Sequence, residues 1–368
     1  MKFPCSPQLF PITRLRTIVA GLSALLWSIA LPFSAQSLPS STKSTTEQWN
    51  PHRNYSRQMK RFRVLTWNVE NLFDTLHDEG FHDEEFLPSS PRNWTSRRYW
   101  CKQGAIARTL VAAAEMQPID LIGLCEIEND SVIHHLCHRT RLARLGYKYI
   151  VTRSHDQRGV DVALLYQTTS LSLIARQSLR VPFNVANERP TRDILYAKGV
   201  RPVGDTLHIF VIHAPSRAGG EANTRPYRVA VAQRLCNAID SIRREDVAAN
   251  IIVTGDFNDY GNTPALQLLT QKALTDVSAN AKGCNGAKGT YRYQGEWGSL
   301  DHVFVSEQLC KKGVSCRIFD APFLMEDEEK YGGKRPWRTY QGPKYLGGFS
   351  DHLPLVVTFN LPIAESKP

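Results

Sequence analysis

The chain has 368 residues, 42% of them hydrophobic and 22% charged, which excludes disordered and collagen-like classes and allows one large α/β or all-β domain or two ordinary ones. Its formal charge of +10 favours polyanions through counterion release. Many exported proteins are basic without binding any, so charge supports a nucleic-acid partner and does not establish one.

Arg14 and Arg16 precede an almost wholly apolar stretch from Thr17 to Phe33, and Ala35 and Ser37 follow at the small-x-small spacing of a cleavage site. This layout predicts a signal peptide over residues 1–37 and an exported protein, periplasmic or extracellular after cleavage. An uncleaved anchor is the competing reading, because roughly 17 apolar residues is the lower limit for a span. Removing this segment, with Lys2, Arg14 and Arg16 and no acid, takes the formal charge from +10 to +7. Seven of the eight cysteines lie beyond Cys5, with no CxxC pair, which argues against zinc and permits at most three bridges. Cys310 and Cys316 are near enough in sequence to pair or to stand as two free thiols.

Residues 38–61, rich in Ser, Thr, Asn and Gln, read as a flexible tether to one catalytic domain over 62–361, with a tail at 362–368. From the amino end, Arg63–Trp67 predicts a strand, Ser96–Met116 a helix, Ile119–Cys125 a strand and Val132–Leu145 a helix. Strand patterns follow at Tyr147–Thr152, Val160–Tyr166, Leu171–Val181, Asp193–Lys198 and Thr206–His213. A helix over Thr224–Arg243 precedes strands at Ile251–Thr254, Leu300–Ser306 and Leu353–Phe359. Consecutive strands with helices inserted between others predict two packed sheets flanked by helices.

Polar residues recur where these strands end: Asn68 and Glu70, then Glu126 and Glu128, then His213, then Asp256 and Asn258. Asp301-His302 and Asp351-His352 instead open strands, and antiparallel pairing would bring such beginnings to the same edge as the ends. A hard cation such as Mg²⁺ takes oxygen ligands and keeps several waters, so Glu126, Asn68 and Asp351 suit a metal site. Phosphodiester hydrolysis also needs a nucleophilic water, an oriented base and stabilisation of the leaving oxygen, which Asp256, Asn258, His213 and a carboxylate-oriented His352 can supply.

The segments Thr66-Trp67-Asn68-Val69-Glu70-Asn71, Leu124-Cys125-Glu126, Val211-Ile212-His213-Ala214-Pro215-Ser216, Gly255–Asn258, Leu300-Asp301-His302 and Ser350-Asp351-His352 stand in the order of one family's motifs. In them the chain resembles the endonuclease/exonuclease/phosphatase superfamily, which includes pancreatic-type deoxyribonucleases, abasic-site endonucleases, neutral sphingomyelinases and inositol polyphosphate phosphatases. The resemblance implies an α/β, deoxyribonuclease-like four-layer sandwich of two mixed β-sheets flanked by helices. It implies Glu126 as the central metal ligand with Mg²⁺ or Mn²⁺, Asn68 at metal or phosphate, and Asp256 and Asn258 on the attacking water and the phosphate. It further implies Asp301 with His352 as a carboxylate–imidazole dyad, Asp351 close to the metal, and His213 as the second histidine of the deoxyribonuclease branch. Glu70 departs from the pattern, standing where the abasic-site branch has an aspartate, and either a metal or a hydrogen-bonding role is open to it. Asp161 is a candidate carboxylate partner for His213.

Arg217, in the loop after His213, could fork onto a phosphate. Arg158 and Arg338 are further candidate substrate contacts, the second within a basic and aromatic segment (Lys334, Arg335, Trp337, Tyr340, Lys344, Tyr345) that leads into Asp351-His352. Such interleaving suits nucleic acid and also suits a membrane lipid substrate. The acidic loop from His77 to Glu85 could hold a structural Ca²⁺ or be simply solvated. No motif for a protein partner is evident. The expected activity is a metal-dependent phosphodiester hydrolase, foremost an exported endonuclease on DNA or RNA, with a phosphatase or sphingomyelinase-type phospholipase as the alternative and a non-catalytic nucleic-acid-binding protein as the remaining one.

Overall fold

The computed structural model describes residues 59–183 and 190–362. The signal-peptide segment, the tether as far as residue 58 and the tail beyond residue 362 lie outside the described residues. Residues 59–61, expected to belong to the tether, are instead the start of the first strand.

Along the chain, β1 (Met59–Leu72) is followed by α1 (Ser96–Ala114), β2 (Leu121–Ile127), α2 (Asp130–Arg139), β3 (Lys148–Val151), β4 (Asp161–Tyr166) and β5 (Ser172–Leu179). Then come β6 (Ile194–Val200), β7 (Thr206–His213), α3 (Glu221–Glu245), β8 (Asn250–Asp256), α4 (Pro264–Gln271) and β9 (Leu274–Asp276). A hairpin of β10 (Tyr291–Tyr293) and β11 (Glu296–Gly298) precedes β12 (Asp301–Ser306), α5 (Glu307–Cys310) and β13 (Val314–Ile318). Two more hairpins lead to the last strand: β14 (Met325–Asp327) with β15 (Lys334–Pro336), and β16 (Tyr340–Gln341) with β17 (Lys344–Tyr345), before β18 (Leu355–Pro362).

Two six-stranded mixed sheets result, ordered β13-β18-β1-β2-β4-β3 and β5-β6-β7-β8-β12-β9. Period-two alternation tells the faces apart. In β7, Leu207, Ile209 and Val211 join the core shared with the first sheet, whereas Phe210 and Ile212 pack with Val231, Leu235 and Ile239 of α3. The same alternation puts Val303 and Val305 of β12 inward and Phe304 outward. The sheets come close together at Gly123, where a Cβ would sit 3.2 Å from Thr254 Cγ2 and 3.3 Å from Val211 Cγ1 of the opposite sheet. This is the two-sheet α/β sandwich that the resemblance implies.

The expected helix over 132–145 is broken. Thr140 is extended, donates its hydroxyl to Leu136 O and accepts from Leu142 N, so α2 stops at Arg139 and a 3₁₀ turn continues to Leu145. The sequence reading also passed over α4, β13 and the small hairpins, which are too short to display a period. All seven described cysteines are free, Cys310 and Cys316 among them. Among the described residues no helix is long and apolar enough to cross a membrane.

Candidate active site

Register brings the motif residues to one rim. In β7, His213 continues the inward series of Leu207, Ile209 and Val211, and it pairs with Asp256 across the parallel β7–β8 ladder. Asp256 in turn lies opposite Asp301 in the antiparallel β8–β12 ladder. Gly255 (φ +139°) allows this packing, because any Cβ there would fall 1.9 Å from Ile212 O.

On the facing sheet, Asn68 pairs with Cys125 just before the register shift in the parallel β1–β2 ladder, which resumes with Leu72 opposite Ile127. Glu126 is the extra residue of a bulge, since Cys125 pairs with Val162 and Ile127 with Asp161, and its φ is +64°. A left-handed conformation at a glutamate costs on the order of 1–3 kcal/mol and is found where geometry serves a site. Glu70, Asn71 and Asn258 share it, at φ of +54°, +57° and +49°.

The side chains meet between the sheets. Asp301 Oδ2 lies 2.7 Å from His352 Nδ1, and His352 Nε2 lies 3.9 Å from Asp256 Oδ2. Asn68 Nδ2 donates to Asp256 Oδ2 at 2.9 Å and approaches Glu126 Oε1 at 3.3 Å, so one amide spans two carboxylates. His213 Nε2 stands 3.7 Å from Asp256 Oδ2 and 3.9 Å from Glu126 Oε1. Asp256 Oδ1 accepts from the Asn258 backbone N–H at 2.8 Å, while Asn258 Nδ2 donates to Ala214 O at 3.0 Å. Ser350 fixes the last strand's approach by donating to Asn68 O and accepting from His352 N.

Burial sets the protonation states. It raises Asp256 to about 7, with the His352 charge pulling down and Asp301 pushing up. Burial alone would lower His352, but the charges of Asp301 and Asp256 and the Asp301 hydrogen bond hold it well above its ordinary value. His213 is pushed well below 6.5, first by burial and then by Arg192, Arg158 and His352. One ring therefore carries a proton and the other does not.

Asp256, Asp301 and His352 present ligand atoms within 4.8 Å of one another. Asp301 and His352 are already bonded to each other at 2.7 Å, so a hard cation fits better around the carboxylates that Asn68 bridges. Glu126 has the solvent-facing share of these, with 13% of its side chain exposed, and its Oε2 is anchored by the Asn71 N–H at 2.8 Å. The nearby Cys125 thiol has its pKa raised well above its usual value by burial, so it stays protonated and leaves an oxygen-rich donor set suited to a hard divalent cation.

The other sequence candidates sort differently. Asp351 accepts from Arg338 Nη2 at 3.0 Å, and Arg338 Nε reaches Glu70 Oε1 at 3.4 Å. Glu70 Oε2 accepts from Thr339 N at 2.6 Å; burial, with the Asp351 charge, raises its pKa to about 7. Arg158 donates to Asn71 Oδ1 at 2.7 Å and stands 3.9 Å from Glu126. Arg217 is paired with Glu221 at 2.8 Å and lies over the Tyr260 ring.

Asp161 is not the partner of His213. Its carboxylate accepts from Thr152 Oγ1 at 2.6 Å and from Ser154 N at 3.0 Å, and Arg192 takes the place expected for it. Arg192 Nη2 donates to His213 Nε2 at 2.9 Å, with Asp156 at 3.3 Å from its Nη1. The motifs do not reveal Arg192, though extending the β6–β7 register, in which Leu195 faces Val211, would have carried the chain there. Lys102 is also new: fully enclosed, it donates to Thr339 Oγ1 and Phe349 O, and burial lowers its pKa to about 8. In the acidic loop, Asp83 is engaged by His77 and by Asp78 N. A cavity of about 700 Å³ lies aside from the catalytic cluster, lined by Glu128, Asp161, Tyr149 and Tyr196 among others.

A two-sheet α/β sandwich with carboxylates, amides and two histidines gathered at one rim defines the class. The family model described as Endonuclease/Exonuclease/phosphatase family matches residues 63–361, and the chain belongs to that family. Among solved structures, an endonuclease/exonuclease/phosphatase family protein from Bacteroides thetaiotaomicron is 16% identical with a TM-score of 0.54, covering 83% of this chain and 100% of its own. A mannosyl-6-phosphatase from the same organism is 17% identical with a TM-score of 0.54, over 80% of this chain and 98% of its own. Truncated TDP2 from Caenorhabditis elegans is 16% identical with a TM-score of 0.51, over 82% of this chain and 97% of its own. At these identities the likeness is one of fold. No curated protein matches the chain by sequence.

Proposed function

We propose that the chain is a metal-dependent phosphodiester hydrolase acting on nucleic acid as an endonuclease. The observation that carries this reading is the linked set Asp301–His352–Asp256–His213, with Glu126 and Asn68 facing it from the other sheet.

Asp301 fixes the His352 ring so that Nε2 faces Asp256, and the two groups together can orient a water and exchange its proton. The Asn258 amide acts as a hydrogen-bonding group for the phosphate, Arg192 backs it through neutral His213, and Arg158 adds a cation beside Glu126. Glu126 and Asp256 would hold Mg²⁺ or Mn²⁺, their oxygens fixed by the Asn68 amide nitrogen, and the ion when bound supplies charge stabilisation to the phosphate oxygens. Asp351 is assigned to the support of this set through Arg338. The second histidine and the basic, aromatic hairpins that end beside Asp351 favour a polynucleotide over a small phosphomonoester. The N-terminal pattern supports an exported enzyme.

A panel of DNA, RNA, sphingomyelin and inositol phosphates with Mg²⁺, Mn²⁺ and EDTA tests the reading. Expected is cleavage of plasmid or oligonucleotide that EDTA stops, lost in Glu126→Ala and in His352→Ala. Full cleavage by both variants sinks the assigned roles, and release of phosphocholine or inorganic phosphate with nucleic acid intact selects the phospholipase or phosphatase reading.

A further inference from the structure

The outer surface of α2 carries chemistry that the catalytic rim does not use. His134 and His138 are both exposed, one turn apart on the same helix face, with ring centroids 4.5 Å apart and planes inclined at 45°. Asp130 stands a further turn toward the amino end, also exposed, and its Oδ2 lies 3.2 Å from the Tyr149 hydroxyl. Residues four apart on a helix are neighbours, so Asp130, His134 and His138 form one stripe. We propose that His134 and His138 of this stripe are a second metal site, in which the two imidazoles chelate a late first-row divalent ion such as Zn²⁺, Ni²⁺ or Cu²⁺.

Two nitrogens at about 2.0–2.1 Å from one ion lie about 3 Å apart, which rings at this separation reach by side-chain rotation alone, without moving the helix. Imidazole pairs select the zinc, nickel and copper group over Mg²⁺, which wants oxygen, so the stripe and the catalytic carboxylates would take different ions. The neighbouring His135 is excluded from the pair, because its Nδ1 is bound to the Tyr99 hydroxyl at 2.7 Å on another face. Bridging consecutive turns, the ion would clip α2, which begins directly after the strand that carries Glu126.

The test is titration of the full chain, without an affinity tag, with Zn²⁺ or Ni²⁺ in saturating Mg²⁺, together with retention on immobilised Ni²⁺. The wild type is expected to bind one ion more than the His134→Asn/His138→Asn double variant and to be retained on the column where that variant is not. Each single variant is expected to weaken binding by at least about 10–100-fold, the range already found for changes around metal ligands. His135→Asn should bind as the wild type does. His134 and His138 are exposed on the helix surface, so the unfolding midpoint of their variants without metal should be unchanged, and hydrolysis supported by Mg²⁺ should be too. Equal retention of the wild type and the double variant, or no binding by folded wild type, overturns the proposal. Neither readout depends on which ester the enzyme cleaves.

Discussion

Arg192 Nη2 donates to His213 Nε2 at 2.9 Å, so the histidine that closes β7 is partnered by a cation. A guanidinium has no lone pair to offer, which makes that imidazole nitrogen the acceptor and keeps the ring neutral. Asp156, 3.3 Å from the other side of Arg192, supplies the balancing charge.

Arg192→Met should therefore do two things. Removing one member of a buried ion pair leaves Asp156 uncompensated and should cost about 3–5 kcal/mol in denaturant unfolding. Activity should fall as well, because the His213 ring loses the bond that fixes it. A loss of stability within experimental error would mean that Asp156 is not held by this arginine.

Asp301→Asn should preserve the fold and lower kcat by about 10²–10⁴, since the amide can still meet His352 Nδ1 but no longer offers a charge to hold the imidazolium. Steady-state kinetics decides: a fall in kcat with KM little changed fits a positioning role for Asp301, and a change confined to KM contradicts it.

Lys102 and Glu70 form the buried support of the segment that carries Arg338. Lys102→Met alone should cost about 1–3 kcal/mol, because Thr339 Oγ1 and Phe349 O lose their buried donor and Glu70 loses a favourable charge while keeping Arg338 at 3.4 Å. In the double variant with Glu70→Gln the combined loss should differ from the sum of the single losses by about 0.5–3 kcal/mol. Strict additivity in denaturant titrations would separate the two residues.

His302 and Asp276 give a pH signature. Burial pushes His302 down, but the Asp276 hydrogen bond and charge, at 2.8 Å, raise its pKa above 6.5 overall. Burial likewise opposes Asp276, and the His302 bonds bring it below 3.8. The imidazolium is favoured in the fold, so its stabilisation is complete below the unfolded value and is lost as pH rises through the folded one. The Asp276 contribution is present above its unfolded value and is lost as pH falls through its lower folded one. The gap in unfolding midpoint between wild type and His302→Gln should be widest between about pH 4 and 6.5 and should narrow at higher pH. A gap that widens with rising pH would contradict the assigned protonation.

Much of the rim was legible because strand ends in a two-sheet sandwich are marked by polar residues closing apolar runs. Asn68, Glu126, His213, Asp256 and Asp301 each stand where a buried strand stops or starts, and alternation fixes which of them point inward. Arg192, Asp156 and Lys102 were not legible. They lie in no motif, and each reaches its partner through pairing or packing between segments distant in sequence, as with Lys102 and Phe349. The Asp161 expectation failed for a local reason: the segment that follows the neighbouring strand β3 offers Thr152 and Ser154 as donors to its carboxylate.

The sequence by itself determined the two-sheet α/β class, the inward faces of the strands and the kinds of chemistry gathered at their ends, because these follow from local periodicity and residue type. Only the tertiary structure decided which charge meets which. That choice depends on register, on the bulge that turns Glu126 out of the β2 ladder, and on burial and neighbouring charge: burial raises Asp256 and lowers His213, while the charges of Asp301 and Asp256 raise His352 against its own burial, although all three stand within 4 Å of a common carboxylate oxygen or belong to it.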